Sequence, residues 1–196
     1  MNSNLRYYLS AYNLIALVMW LLFLVQFLFS GCQLNTTGLL LLNVAQGLAV
    51  LEIMHALLKW VKSPVVSTAA QVFSRLFVLV LINLFIHHNP FLSLTQAGII
   101  IVALAWSVTE VVRYSYYFLL LYNREPRWLL WMRYSFFILL YPLGVSGEWL
   151  VFLTPVFEHG ISLNVYNAVI AGTFIAYAYY FPVLYGYMWK QRKQKL

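Results

Sequence analysis

Leu14–Phe29 reads LIALVMWLLFLVQFLF, with Gln26 as its only polar side chain. A bilayer-spanning helix needs about 20 mostly apolar residues, and this run with its flanks (12–30) supplies them. It is long for the apolar core of a cleaved leader, and no small-residue cleavage site precedes the next apolar run, so it reads as a retained first helix. Five further runs follow near 39–60, 68–86, 96–122, 132–157 and 165–187. Each is too long and too evenly apolar for the alternating strands of a barrel. Breakers fall between runs: Ser63-Pro64, Asn89-Pro90, Pro126 and His159-Gly160. The expected fold is an all-α membrane protein, with six transmembrane helices in one bundle and residues 1–196 as a single domain.

Composition agrees. Of 196 residues, 63% are hydrophobic and 9% charged, and the mean hydropathy is +0.80. Six spans use roughly 120 residues, which leaves loops and tails but no separate soluble domain. Cys32 is the only cysteine, so an intrachain disulfide and a Cys-based zinc site are both excluded. His87, His88 and His159 fall near predicted turns. Two adjacent histidines chelate poorly without more ligands, and no metal is expected. The net charge of +7 comes without a basic patch interleaved with exposed aromatics, so nucleic acid is not an expected partner.

The basic residues report topology instead. Arg6 precedes the first span; Lys59 and Lys62 lie between spans two and three. Arg124, Arg127 and Arg133 lie between spans four and five, and Lys190, Arg192, Lys193 and Lys195 follow span six. The other three connections carry none. By the positive-inside rule both termini are cytosolic, and the strict alternation requires an even number of spans. Asn35-Thr36-Thr37 is a glycosylation sequon on the opposite side, close to the membrane. Tyr7, Tyr8, Tyr12, Tyr114–Tyr117, Tyr179, Tyr180, Trp128, Trp131 and Trp189 read mostly as interfacial belt residues. Tyr114, next to Arg113, is the candidate exception.

Charges remain inside the apolar runs: Glu52, Arg75, Glu110, Arg113 and Glu148. Charges at depth are costly and usually pair or serve function. Counting about 1.5 Å of rise per residue from the cytosolic ends puts Glu52 roughly 10 Å deep, Arg75 and Tyr141 roughly 12 Å and Arg113 roughly 15 Å. A shared polar cavity open to the cytosol is expected at this depth. Glu110 and Arg113, like Glu52 and His55, are three apart, and Gln71 and Arg75 are four apart, so each pair shares a helix face. Glu110–Arg113 is readable as a self-neutralising intrahelical pair. Glu52 and Arg75 have to reach across helices or line a wet site.

Residues 141–148 read Tyr-Pro-Leu-Gly-Val-Ser-Gly-Glu. A proline, two glycines and a serine weaken a helix, and irregular backbone survives in a bilayer only under protein or around a cavity. The segment brackets a phenol and a carboxylate, both able to move protons. It resembles the active-site segment of the 3-hydroxyacyl-CoA dehydratases, also known as protein tyrosine phosphatase-like membrane proteins. Leu51-Glu52-Ile53-Met54-His55 with Ser63-Pro64, Gln71 to Arg75, Trp106 to Tyr117 and Arg133-Tyr134 also look like the family. The resemblance is close over roughly 45–150, and the six-span plan covers the chain. His55-Ala56 stands where the phosphatase-like name refers to a His-Cys-like segment, so no thiolate is available for cysteine phosphatase chemistry. Lys59 stands where many relatives have a small residue.

The resemblance implies a hydro-lyase of very-long-chain fatty acid elongation in the endoplasmic reticulum. It would remove water from a (3R)-3-hydroxyacyl-CoA to give the trans-2-enoyl-CoA, with other elongation enzymes as partners and neither cofactor nor metal. It implies Tyr141 and Glu148 as the catalytic pair. Glu148 as base is the preferred order, the reverse staying open. A polar core of Glu52, Gln71, Arg75, Glu110, Arg113, Arg133 and Gly144 would support them. Arg75, Arg113 or Arg133 would favour an anion or bind the thioester oxygen. Lys59, Lys62, Arg127 and Arg133 are candidates for the CoA phosphates at the cytosolic mouth. If Tyr141 and Glu148 meet adjacent carbons, their side chains must lean together or Pro142–Gly147 must depart from regular helix, and a departure is expected. The rival readings are a non-catalytic scaffold that binds elongation enzymes and a carrier or channel. Both Tyr141 and Glu148 are present, which argues against the first, and the lumenal halves of spans two to four carry no ionisable group, which argues against the second.

Overall fold

The computed structural model describes residues 2–88, 93–159 and 165–196. Eight helices make up the described chain: α1 (Ser3–Phe29), α2 (Thr36–Leu48), α3 (Val50–Leu57), α4 (Val65–His88), α5 (Ser93–Leu120), α6 (Arg127–Ser135), α7 (Phe137–His159) and α8 (Val165–Lys195). Six stretches among them are long and apolar enough to cross a membrane, with α2 and α3 sharing one. The six-span plan is thus met, with two breaks that periodicity did not show. Span two is interrupted at Ala49, and α6 is a separate short helix before α7.

Local chemistry explains the ends. Asn35 caps α2, its side chain accepting from the Gly38 amide (2.9 Å) and from Gln26 (2.7 Å). The sequon asparagine therefore has a structural role as an N-cap. At the end of α3, Lys59 sits at φ +55 while the Trp60 amide bonds back to His55 and the Lys59 amide to Ala56. This is a Schellman closure with lysine at the left-handed position that usually holds glycine.

α5 lies at the centre, packed on α1, α6 and α7. The core joins Trp20, Phe23 and Phe27 of α1 to Val78 and Ile82 of α4, Val102 of α5 and Phe152 of α7. Outward faces carry Leu14, Val18, Leu21 and Val25, as a lipid-facing surface should. Between α2 and α4, Asn43 and Asn83 exchange two amide hydrogen bonds of 3.0 and 2.9 Å. α5 and α7 cross through glycines. A Cβ on Gly147 would lie 2.9 Å from the Gly98 carbonyl and from Ile101, and one on Gly98 would lie 2.8 Å from Leu150. Small residues let membrane helices approach at backbone distance.

The expected irregularity over Pro142–Gly147 is not found; α7 is continuous from Phe137 to His159. Pro142 removes the amide that would bond the carbonyl of Ile138. The Tyr185 hydroxyl of α8 donates to that carbonyl instead, at 3.3 Å. Gly147 serves helix contact, and Ser146 bonds the Leu143 carbonyl within the helix (2.7 Å).

Candidate active site

Four of the charges inside the apolar runs form one chain of ion pairs across three spans, with Glu110 buried and Glu52, Arg75 and Arg113 half-buried. Arg113 of α5 gives both terminal nitrogens to Glu52 of α3, each at 2.7 Å, and its Nε to Glu110 at 2.7 Å. Glu110 is 1% exposed, and its other oxygen takes a hydrogen bond from Arg75 of α4. Tyr114 donates to Glu52 at 2.5 Å, and Tyr12 of α1 donates to the Leu48 carbonyl (3.0 Å) and, at 3.4 Å, to Glu52. The Glu110–Arg113 pair exists, but as the middle of this chain rather than as a self-contained unit. At the depth where a shared polar cavity is expected, these side chains engage one another in salt bridges. Tyr12, Tyr114 and Tyr116 are buried, so the belt reading does not hold for them. A phenol on a buried carboxylate satisfies an acceptor that lipid could not.

Arg133 donates to the Tyr117 hydroxyl (3.2 Å) and lies over the rings of Tyr117 and Tyr134. Its Nε is buried without a hydrogen-bond partner among the described residues. Gln71 stays exposed and is not brought into the ion-pair chain. Gly144 is buried against Ala105, where a Cβ would lie 3.7 Å away. Lys59, Lys62 and Arg127 are exposed, at the end of the bundle where α3 stops and α4 and α6 start. Side chains of His87, His88 and His159 lie outside the described residues. Among the described residues no cluster of three or more metal-ligating side chains occurs.

Glu148 stands one helix away from the ion pairs. It is 7% exposed and makes no ion pair among the described residues. Each oxygen takes one neutral donor: Trp106 Nε1 of α5 at 3.1 Å and the Tyr177 hydroxyl of α8 at 2.5 Å. Trp106 also lies beneath Arg75, whose guanidinium is 5.6 Å from the ring, so it links the ion-pair chain to this carboxylate. Tyr141 lies two turns before Glu148 on α7. Its ring stacks on Phe181 (5.0 Å between centroids, 7° between planes) and on Tyr185 (6.2 Å, 10°). Its hydroxyl makes no hydrogen bond among the described residues. On a regular helix the two groups are about 10 Å apart along the axis, so the side chains must converge on whatever lies between them.

Trp106, Tyr177 and Phe181 were missed as site residues. Trp106 carried a usable signal, being four before Glu110 and hence on its face. Tyr177 and Phe181 sit in an aromatic-rich span whose periodicity marks no inward face.

Fold and site together define a polytopic membrane protein holding in its interior a phenol and a carboxylate that makes no ion pair among the described residues. The model of the protein tyrosine phosphatase-like (PTPLA) family matches residues 46–196. The very-long-chain (3R)-3-hydroxyacyl-CoA dehydratase hpo-8 of Caenorhabditis elegans is 36% identical over 98% of this chain and 96% of its own length. Very-long-chain (3R)-3-hydroxyacyl-CoA dehydratase 2 of Homo sapiens is 37% identical over 76% of this chain and 62% of its own length. The dehydratase PASTICCINO 2B of Oryza sativa is 40% identical over 55% of this chain and 47% of its own length. No solved structure matches. The chain belongs to the protein tyrosine phosphatase-like family, whose curated members here carry the names of dehydratases, hydro-lyases acting on hydroxyacyl-CoA.

Proposed function

We propose that this chain is a very-long-chain (3R)-3-hydroxyacyl-CoA dehydratase. One observation carries the assignment of roles. Among the described residues, Glu148 is the buried carboxylate that no cation pairs with, seven residues from a tyrosine whose hydroxyl is uncommitted. In this reading Glu148 takes the proton from C2, the electron pair moves into the C2–C3 bond, and the C3 hydroxyl leaves as water with the proton of Tyr141. Tyr141 ends as the phenolate and Glu148 as the acid, so one proton transfer between them, direct or through the departing water, resets the pair. A phenol is by itself a better acid than base, which supports this order.

The thioester oxygen gains charge as C2 is deprotonated, and a cation there lowers the barrier. Arg113 is saturated by Glu52 and Glu110. Arg75 engages Glu110 through one nitrogen and keeps further donors, so it is the better candidate. Lys59, Lys62 and Arg127 are proposed for the CoA phosphates. The alternation of basic residues supports cytosolic termini and access from the cytosolic side. The endoplasmic reticulum membrane and association with other elongation enzymes complete the proposal. The scaffold reading gains no specific observation.

The test is turnover of a long-chain (3R)-3-hydroxyacyl-CoA by purified protein beside Tyr141→Phe and Glu148→Gln. Each variant, still monodisperse, is expected to lose about 10²–10⁴-fold in rate, the range for a general acid or base. A wild type that is folded and inactive at saturating substrate would return the scaffold reading. A variant that keeps full rate removes its residue from the mechanism.

A further inference from the structure

We propose that the groove between α7 and α8 holds the acyl chain of the substrate, and that Tyr177, in its wall, positions the Glu148 carboxylate. The proposal rests on the dehydratase reading and adds where the apolar part of the substrate lies. The groove has a volume of about 470 Å³ and is lined by residues including Pro142, Val145, Trp149, Tyr177, Ala178 and Phe181. Ligand pockets typically span about 300–1,000 Å³ and are mostly apolar. Its one hydroxyl besides Tyr177, that of Ser146, is spent on the Leu143 carbonyl.

Two wall residues touch the two candidate catalytic groups. Tyr177 donates to Glu148, and Phe181 stacks on Tyr141. They are four apart on α8 and so share a face. A chain lying in the groove therefore runs along the two residues that contact both groups. A second groove, about 480 Å³ between α2 and α4, is of similar size but is lined by Asn43, Asn83, Val80 and leucines, with neither Tyr177 nor Phe181 in its wall. α8 packs mainly on α6 and α7, and Ile175, Tyr179, Tyr180 and Val183 are exposed along it. An alkyl chain dissolved in the bilayer reaches such a groove sideways, without crossing water. Lipid is as apolar as the groove, so the fit of the chain rather than the hydrophobic effect sets the preference.

Tyr177 acts through Glu148. With Trp106 on one oxygen and Tyr177 on the other, the carboxylate is held at both ends. Removing Tyr177 leaves one donor and frees the group to rotate. The consequence is a slower step with substrate binding kept, which distinguishes a positioning residue from a structural one.

Kinetics are measured in detergent over (3R)-3-hydroxyacyl-CoA substrates of increasing chain length, with wild type, Tyr177→Phe and Ala178→Trp. Tyr177→Phe keeps the ring and is expected to lower kcat about 10- to 100-fold, the range for losing a hydrogen bond to a charged group, with KM within about twofold. An unchanged kcat, or a fall that tracks a lost unfolding temperature, overturns the positioning role. Ala178→Trp fills the groove and is expected to lower the ratio of long-chain to short-chain kcat/KM about tenfold, the size of a packing loss near 1.4 kcal/mol. An unchanged ratio overturns the groove. Where that variant is not monodisperse, Val145→Phe narrows the groove from α7 and is judged by the same ratio. A long-chain hydroxyacyl-CoA with a photoreactive diazirine on its tail gives a readout independent of turnover. Crosslinks on α7 and α8 support the groove, and crosslinks only elsewhere overturn it. A wild type that crosslinks there but never turns over would instead sink the activity reading.

Discussion

The ion-pair chain on α3, α4 and α5 and the Tyr141–Glu148 pair on α7 lie side by side, yet their chemistry is opposite. In the first, Glu52, Glu110, Arg75 and Arg113 balance in charge, and Arg113 has every nitrogen committed. In the second, Glu148 has only neutral donors and Tyr141 has no hydrogen-bond partner among the described residues. A saturated network holds helices in register, whereas a group with spare valence can move a proton. The difference teaches that depth and charge alone do not single out a candidate for proton transfer; the state of its partners separates Glu148 from the paired charges.

The largest expected effect breaks the comparison at Glu110. Glu110→Gln removes the carboxylate that two arginines share in the interior, and breaking such a buried pair costs about 3–5 kcal/mol of stability. Glu148→Gln, by contrast, is expected to cost about 1–2 kcal/mol, the scale of weakened hydrogen bonds, while removing turnover. Unfolding in detergent, followed for both, checks this. Equal losses of stability would erase the distinction drawn between the two regions.

A smaller effect tests how the two regions are joined. A Cβ on Gly147 meets the Gly98 carbonyl and Ile101, both at 2.9 Å. Gly147→Ala must push α7 from α5 and is expected to cost about 1–3 kcal/mol, as overpacking does. The same shift lengthens the Trp106–Glu148 bond, so turnover should fall with stability. Gly172→Ala, where nothing lies within 4 Å, is the matched control and should leave both in place. The smallest effect lies at the end of α3, the helix that carries Glu52. Lys59→Gly relieves a left-handed backbone and is expected to raise stability by about 1 kcal/mol, the scale of that conformational cost. A lower unfolding temperature would show that the lysine stem, not the backbone, governs that turn.

Part of this was legible beforehand. Six spans followed from run length, and since only His55 and Gln71 share their faces, Glu52 and Arg75 had to reach across helices or line a wet site. What failed did so for identifiable reasons. Pro142 suggested a broken helix because its missing amide leaves a bare carbonyl, and the hydroxyl that satisfies it belongs to Tyr185, forty-seven residues away. Tyr12 read as interfacial because tyrosine is common there, Tyr114 stood out only through its neighbour Arg113, and the position of Glu52 gives both hydroxyls their partner. Gln71 shares a face with Arg75 but stays exposed, one turn nearer the start of α4.

The sequence by itself determined that this chain lives in a membrane as a helix bundle, because spanning length and the cost of bare backbone in lipid are properties of each segment alone. It also offered Tyr141 and Glu148 as candidates, through a family-like motif contained in one helix. Only the tertiary structure decided which charges are spent and which are spare, and that Trp106 and Tyr177 hold Glu148 between α5 and α8. Those facts are pairings between helices, and periodicity, which reports one helix at a time, holds no record of its neighbours.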